Sequence, residues 1–131
     1  MTKPTYFEAL DYERMVREYP IGDAFAKLMK TMSRDELTAL QETRLLKLID
    51  RGWKIPFYQR LWSAAGMAPG DIKRLEDSAK IPSYSKADLM KSIEEHPPFG
   101  DFHGMENFAK DKRPPVVFNT TTGKTRPPPN F

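Results

Sequence analysis

The chain has 131 residues, enough for one domain or for one piece of a larger one. Its 21 basic and 18 acidic residues are interspersed, so the net charge of +3 forms no block suited to nucleic acid, and a mean hydropathy of −0.64 confines apolar residues to thin stripes. The lack of cysteine excludes disulfide frameworks, thiolate nucleophiles and Cys-based zinc sites together, and no apolar run approaches membrane-spanning length; the expected setting is cytoplasmic, without nucleic-acid or membrane partners.

From Met1 to Pro20, Tyr6, Phe7, Leu10, Met15 and Val16 recur at roughly helical spacing and predict a first helix. Pro20 and Gly22 interrupt it, and Asp23 is placed to cap a second, short helix carrying Phe25, Leu28 and Met29. Ser33-Arg34-Asp35-Glu36 is a capping-box signature, in which the Ser33 hydroxyl accepts from the Glu36 amide and the Glu36 carboxylate accepts from the Ser33 amide. A long helix should start there. Leu37, Leu40, Leu45, Leu48 and Ile49 share one arc, which Leu46 widens, while Arg34, Glu42 and Lys47 point elsewhere. Gly52 suggests a stop, yet Trp53 continues the arc, so the helix is expected to reach about Lys54.

Pro56 suits the first turn of the next helix and forces Ile55 out of the helical region. Phe57, Tyr58, Leu61, Trp62 and Ala65 give that helix a bulky apolar face, and Gly66 is placed to end it in the left-handed conformation. Met67 to Asp71 reads as a turn, with Asp71 capping a short piece that holds Ile72 and Leu75 and ends at Ile81-Pro82. Ser85-Lys86-Ala87-Asp88 opens a further helix with Leu89, Met90 and Ile93 apolar, and Pro97-Pro98 ends it. Phe99 to Lys112 lacks a period and reads as loop. Val116-Val117-Phe118 is the one strand-like run, with nothing in the chain to pair with, and Arg126 to Phe131 favours polyproline II or disorder.

The residues Leu40-Gln41, Arg44-Leu45, Ile55-Pro56-Phe57-Tyr58, Ala65-Gly66, Pro69, Asp71-Ile72, Leu75-Glu76-Asp77, Ile81-Pro82, Ser85-Lys86-Ala87-Asp88-Leu89 and Pro98-Phe99-Gly100 follow a characteristic order. Together they resemble the N-terminal region of phenylacetate-coenzyme A ligases, members of the adenylate-forming, acyl-activating superfamily. The resemblance is good from Met32 to Gly100 and poor over the first thirty residues. With the spacing of the remaining residues it gives an expected mainly α fold: a helical extension over 1–32, a ligase-like helical block over 33–100, and over 101–131 a loop, one strand-like segment, an altered phosphate-loop-like stretch and an irregular Pro-rich tail.

It also implies that Thr120, Thr121, Thr122, Gly123 and Lys124 stand where the family has its phosphate loop. Hydroxyls and amides there can donate to ATP phosphates, and Lys124 adds positive charge. Two departures put that loop in doubt, since Thr120 stands where the family has Gly and Thr125 where it has Pro. A Walker reading of Gly123-Lys124-Thr125 fails because Phe118 occupies the position of the first glycine. His96 and His103, the only histidines, lack a known ligand spacing even with Asp101 nearby, so no metal site is expected, and no side chain in the chain is assigned a catalytic role.

The intact family enzyme uses ATP, Mg and CoA to convert a carboxylate into an acyl-adenylate and then a CoA thioester. That reaction needs several hundred residues, so the chain is expected to be inactive and unable to bind these cofactors tightly by itself, acting as an N-terminal fragment or split subunit whose partner is the missing C-terminal remainder. The alternative is a non-catalytic helical interaction module of the same ancestry. Exposed apolar faces on an incomplete domain would also favour self-association.

Overall fold

The computed structural model describes residues 5–113 and residue 116. Among these the fold is helical: α1 spans Tyr12–Glu18, α2 Gly22–Thr31, α3 Arg34–Gly52, α4 Pro56–Ala64 and α5 Lys86–Glu95. A 3₁₀ turn at Leu75–Lys80 lies between α4 and α5, and two more, Met105–Asn107 and Lys110–Lys112, follow α5. The predicted mainly α architecture is what the described residues adopt.

The long helix starts where its capping box places it. Ser33 Oγ accepts from the Glu36 amide at 3.2 Å, and Glu36 Oε2 accepts from the Ser33 amide at 2.7 Å. The same reciprocal pair opens α5, with Ser85 and Asp88 in the two roles. Ile55 is extended at φ −107° and ψ 121°, and Pro56 is the first residue of α4, as steric exclusion before proline requires. Gly66 takes φ +79° beyond the end of α4, and α5 stops at Glu95 before the proline pair.

The core is small. Ile49, Trp62, Met67 and Ile72 form its buried centre, with Leu45, Leu46, Trp53, Tyr58, Leu61 and Ile81 packed around them. Trp53 and Trp62 meet edge to face at 5.1 Å. The α3 helix ends at Gly52, short of the expected Lys54, and Trp53 caps it. Gly52 is a point of close approach: a Cβ there would lie 2.3 Å from Trp62 Cη2, so only hydrogen lets α4 lay its indole across the end of α3.

Several expectations are corrected. The first helix is one turn of loop and a short α1 from Tyr12, because Asp11 accepts from the Arg14 amide at 2.9 Å and starts it there. Asp23 does not cap α2; Ile21 holds the cap position and Asp23 sits inside the first turn. Asp71 does not cap the Leu75 turn either, since it accepts from the Ala68 amide at 2.7 Å and closes the preceding turn. The Leu75–Lys80 turn is held instead by Asp77, which accepts from the Lys73 and Arg74 amides at 2.9 and 3.1 Å. Phe99 to Lys112 is not wholly irregular but contains two of the 3₁₀ turns.

The arc on α3 is rotated from the one expected. Leu48 is 64% exposed, about 100° round the helix from buried Ile49. Glu42 instead faces inward, half-buried, and accepts from the Leu75 amide at 2.9 Å. A backbone donor on the neighbouring 3₁₀ turn makes a carboxylate acceptable at the edge of the core, which apolar spacing along one helix does not reveal.

Candidate functional site

Thr120, Thr121, Thr122, Gly123 and Lys124 lie outside the described residues, as do Val117, Phe118 and the proline-rich tail; Val116 is described and exposed. The described residues bring together a different polar cluster, at the meeting of α4, α5 and the turn that follows α5.

Its centre is Asp101, 5% exposed. Arg60 of α4 reaches it with both terminal nitrogens, Nη2 lying 3.0 Å from Oδ1 and Nη1 bonded to Oδ2. Ser92 of α5, 2% exposed, donates to Oδ1 at 2.8 Å and accepts from the Asp101 amide at 3.0 Å. His96 Nε2 stands 3.6 Å from Oδ2. The Arg60 hydrogen bond is the chief reason why the Asp101 carboxyl is held down to about 2, with the Ser92 hydroxyl assisting against burial. Gly100, at φ +76°, makes the approach possible, since a Cβ there would fall 2.7 Å from both Ser92 Oγ and Phe102 Cε1.

A serine, a histidine and an aspartate in one cluster invite comparison with a hydrolytic triad. The connectivity differs. In a triad the serine hydrogen-bonds the histidine and the aspartate orients the histidine from the far side. Here the serine donates directly to the aspartate and is shut away from solvent, so no base is positioned to activate it. The cluster is a pin: it ties Pro97 to Phe102 onto α4 and α5. His103 is turned elsewhere, its Nδ1 accepting from the Met105 amide at 3.0 Å. Among the described residues no group of three or more His, Asp or Glu side chains is arranged to hold a metal.

Beside the pin stands an aromatic wall. Phe57 meets Tyr58 at 5.2 Å, Tyr84 at 5.4 Å and Phe102 at 6.0 Å, each edge to face. The hydroxyls of Tyr58 and Tyr84 approach to 3.4 Å, and burial together with that contact raises the Tyr58 phenol to about 12. The Tyr58 phenol therefore stays neutral, and the wall serves packing and hydrogen bonding. The sequence marks Ile55-Pro56-Phe57-Tyr58 clearly, but not Arg60, Ser92 and Asp101. The last two are nine residues apart and Arg60 is 41 from Asp101, distances that no local motif spans.

An open cavity of about 440 Å³ lies between Gly70 and Lys80, lined by Asp71, Lys73, Arg74 and Asp77. The Lys80 ammonium, 2.7 Å from Asp77 Oδ1, leads the contacts that hold the Asp77 carboxyl at about 2. No helix among the described residues is long and apolar enough to cross a membrane.

Comparison with known proteins places this helical arrangement. No family model matches. The chain is 41% identical over 75 residues to the phenylacetate-coenzyme A ligase of Thermus thermophilus, a match covering 56% of this chain and 16% of that protein. It is 33% identical over 101 residues to the phenylacetate-coenzyme A ligase of Escherichia coli K12, covering 76% of this chain and 21% of the relative. A crystal structure of 2-hydroxyisobutyryl-CoA ligase in the postadenylation state with R3-HIB-AMP matches with TM-score 0.55 and 33% identity over 71% of this chain and 20% of that one. The same ligase with 2-HIB-AMP and CoA in the thioesterification state matches with TM-score 0.54 and 35% identity, over 65% and 19% of the two chains. The chain thus spans about a fifth or less of the length of the relatives it matches, and over more than half of its own length it is related, in sequence and backbone, to phenylacetate-coenzyme A ligases and other acyl-CoA ligases.

Proposed function

We propose that the chain is the N-terminal helical block of an AMP-forming aryl- or acyl-CoA ligase, acting in the cytoplasm as a fragment or split subunit and inactive by itself. The assembled enzyme would join a carboxylate to the ATP α-phosphate with release of pyrophosphate, then transfer the acyl group to the CoA thiol with release of AMP. The observation that carries this reading is the joint match in sequence and backbone to ligases, some of them solved with an acyl-adenylate and CoA. In this reading Thr120, Thr121, Thr122, Gly123 and Lys124 contact ATP phosphates. The hydroxyls and the Gly123 amide donate hydrogen bonds and Lys124 supplies charge, while Mg, when bound, neutralises the phosphate oxygens. The chain's described residues then do positioning work: the Arg60–Asp101–Ser92 pin and the Phe57 wall set the direction in which the chain leaves the block.

The test is AMP release from a panel of aromatic and small branched acids with ATP, Mg and CoA. The chain would be assayed alone and mixed with a ligase body lacking this segment. AMP is expected only from the mixture, and Lys124→Ala in the mixture should lower its rate by at least tenfold. Turnover by the chain alone would refute the claim of inactivity. A silent mixture, with the two parts shown to associate, would refute the ligase reading and leave the interaction module.

A further inference from the structure

The turn between Gly70 and Lys80 carries an open cavity of about 440 Å³, and every side chain that lines it is charged: Asp71, Lys73, Arg74, Asp77 and Lys80. Small-molecule sites run from about 300 to 1,000 Å³ and are mostly apolar, so the size is ordinary and the lining is not. The two carboxylates are already engaged. Asp77 Oδ2 accepts from the Lys73 and Arg74 amides and its Oδ1 from the Lys80 ammonium, while Asp71 Oδ2 accepts from the Ala68 amide. The Lys73 ammonium and the Arg74 guanidinium, by contrast, make no hydrogen bond or ion pair with the other described residues, and Lys80 spends one of its three N–H donors on Asp77. The backbone that carries these cations is held on both sides. Ile72, just before Lys73, is buried in the core, and the amide of Leu75, just after Arg74, donates to Glu42 of α3 at 2.9 Å. The backbone at Lys73 and Arg74 is therefore set before any ligand arrives, and only the side chains have to close on it.

We propose that this cavity binds the diphosphate group of a small molecule, held by Lys73, Arg74 and Lys80. Three cations stand against two carboxylates whose charge is already met by amides and by Lys80, which favours an anion. A diphosphate has oxygens enough for all three heads: the planar Arg74 fork takes two of them, and the lysines act as point charges on the rest. A single carboxylate satisfies one head and leaves the others unpaired. Because no side chain of the lining is apolar, a nucleobase or an acyl chain carried by the diphosphate gains no contact there, so free pyrophosphate and ADP should bind alike. Nucleic acid is disfavoured, since it needs an extended basic stripe and the 21 basic and 18 acidic residues of the chain are interspersed. The inference is independent of the ligase reading.

The test is a nuclear magnetic resonance titration of the backbone amides of the full chain with pyrophosphate, ADP and acetate at physiological ionic strength. Pyrophosphate and ADP should each give saturable shifts centred on Gly70 to Lys80, with a Kd of about 1 mM or lower, and acetate should not saturate. Replacing Lys73→Ala and Arg74→Ala together should weaken both by about tenfold or more. The paired control Lys47→Ala with Arg51→Ala removes the same charge from exposed positions of α3 and should change the Kd by less than about twofold. Both double variants keep the backbone bonds to Asp77, so the amide shifts of the core should stay in place and report an intact fold. Shifts that do not saturate, shifts centred outside the turn, equal weakening by the two double variants, or ADP binding more than about tenfold tighter than pyrophosphate would each overturn the proposal. So would loss of the pyrophosphate shifts once an associating ligase body is added, because the cavity would then be a socket for the carboxylates of that body.

Discussion

Gly52→Ala should destabilise the protein, against the ordinary preference of helices for alanine. Alanine in a helix interior is favoured over glycine by about 1 kcal/mol, and less at the last helical residue. Against that, the added Cβ would stand 2.3 Å from Trp62 Cη2 and 3.0 Å from Cζ3, so either the indole or the end of α3 must move by more than about 1 Å to reach ordinary contact distance. The indole has little room: Trp62 is buried, with Trp53 at 5.1 Å on one side and Tyr58 at 5.6 Å on another. Overpacking of this kind costs about 1–3 kcal/mol, which leaves a net loss of about 1–2 kcal/mol. Urea denaturation followed by tryptophan fluorescence would measure it. The cycle with Trp62→Leu separates cause from context, because removing the ring should remove the penalty and reveal a coupling of about 1 kcal/mol or more. A Gly52→Ala protein as stable as wild type, or an additive double mutant, would refute the steric account of Gly52.

Asp101→Asn should cost about 1–2 kcal/mol at neutral pH, a figure reduced for the solvent screening of half-exposed Arg60. Folding lowers the Asp101 carboxyl from 3.8 to about 2, so between those values the unfolded chain binds more protons; stability present above about pH 4 should drain away as pH falls toward 2, and the Asn variant should show a flatter acid limb in the same titration. Ser33→Ala removes the cap of α3 and should lower stability by about 1 kcal/mol in urea melts, with Ser33→Asp retaining most of it. Arg44→Ala releases Tyr19 and the Glu18 carbonyl, so limited proteolysis should cut between Glu18 and Ser33 several-fold faster while the core melts at an unchanged urea midpoint; equal cutting rates would show that Arg44 does not hold α1.

What the sequence determined by itself is local. Capping boxes at Ser33 and Ser85, the break at Ile55-Pro56, the left-handed Gly66 and the stop before Pro97-Pro98 are each specified within a few residues, by short hydrogen bonds or by backbone sterics, and the structure realises all of them. The ligase resemblance was legible for the same reason, since it rests on the order of such short signals. Local spacing is less decisive over which acidic residue caps a helix: Asp23 sits inside the first turn of α2 instead of at its cap, and Asp71 closes the turn before the Leu75 segment by accepting from the Ala68 amide.

Only the tertiary structure decided the rest. Leu48 faces solvent and Glu42 the core because the Leu75 amide, 33 residues away, supplies a partner that the helical wheel of α3 does not contain. Gly52 is a contact glycine because Trp62 packs on it. Asp101, read only as a possible neighbour for two histidines, is the anchor of a pin because folding brings Arg60 and Ser92 to it. Hydrogen bonds and packing contacts between elements depend on crossing geometry, which no pattern along a single element encodes.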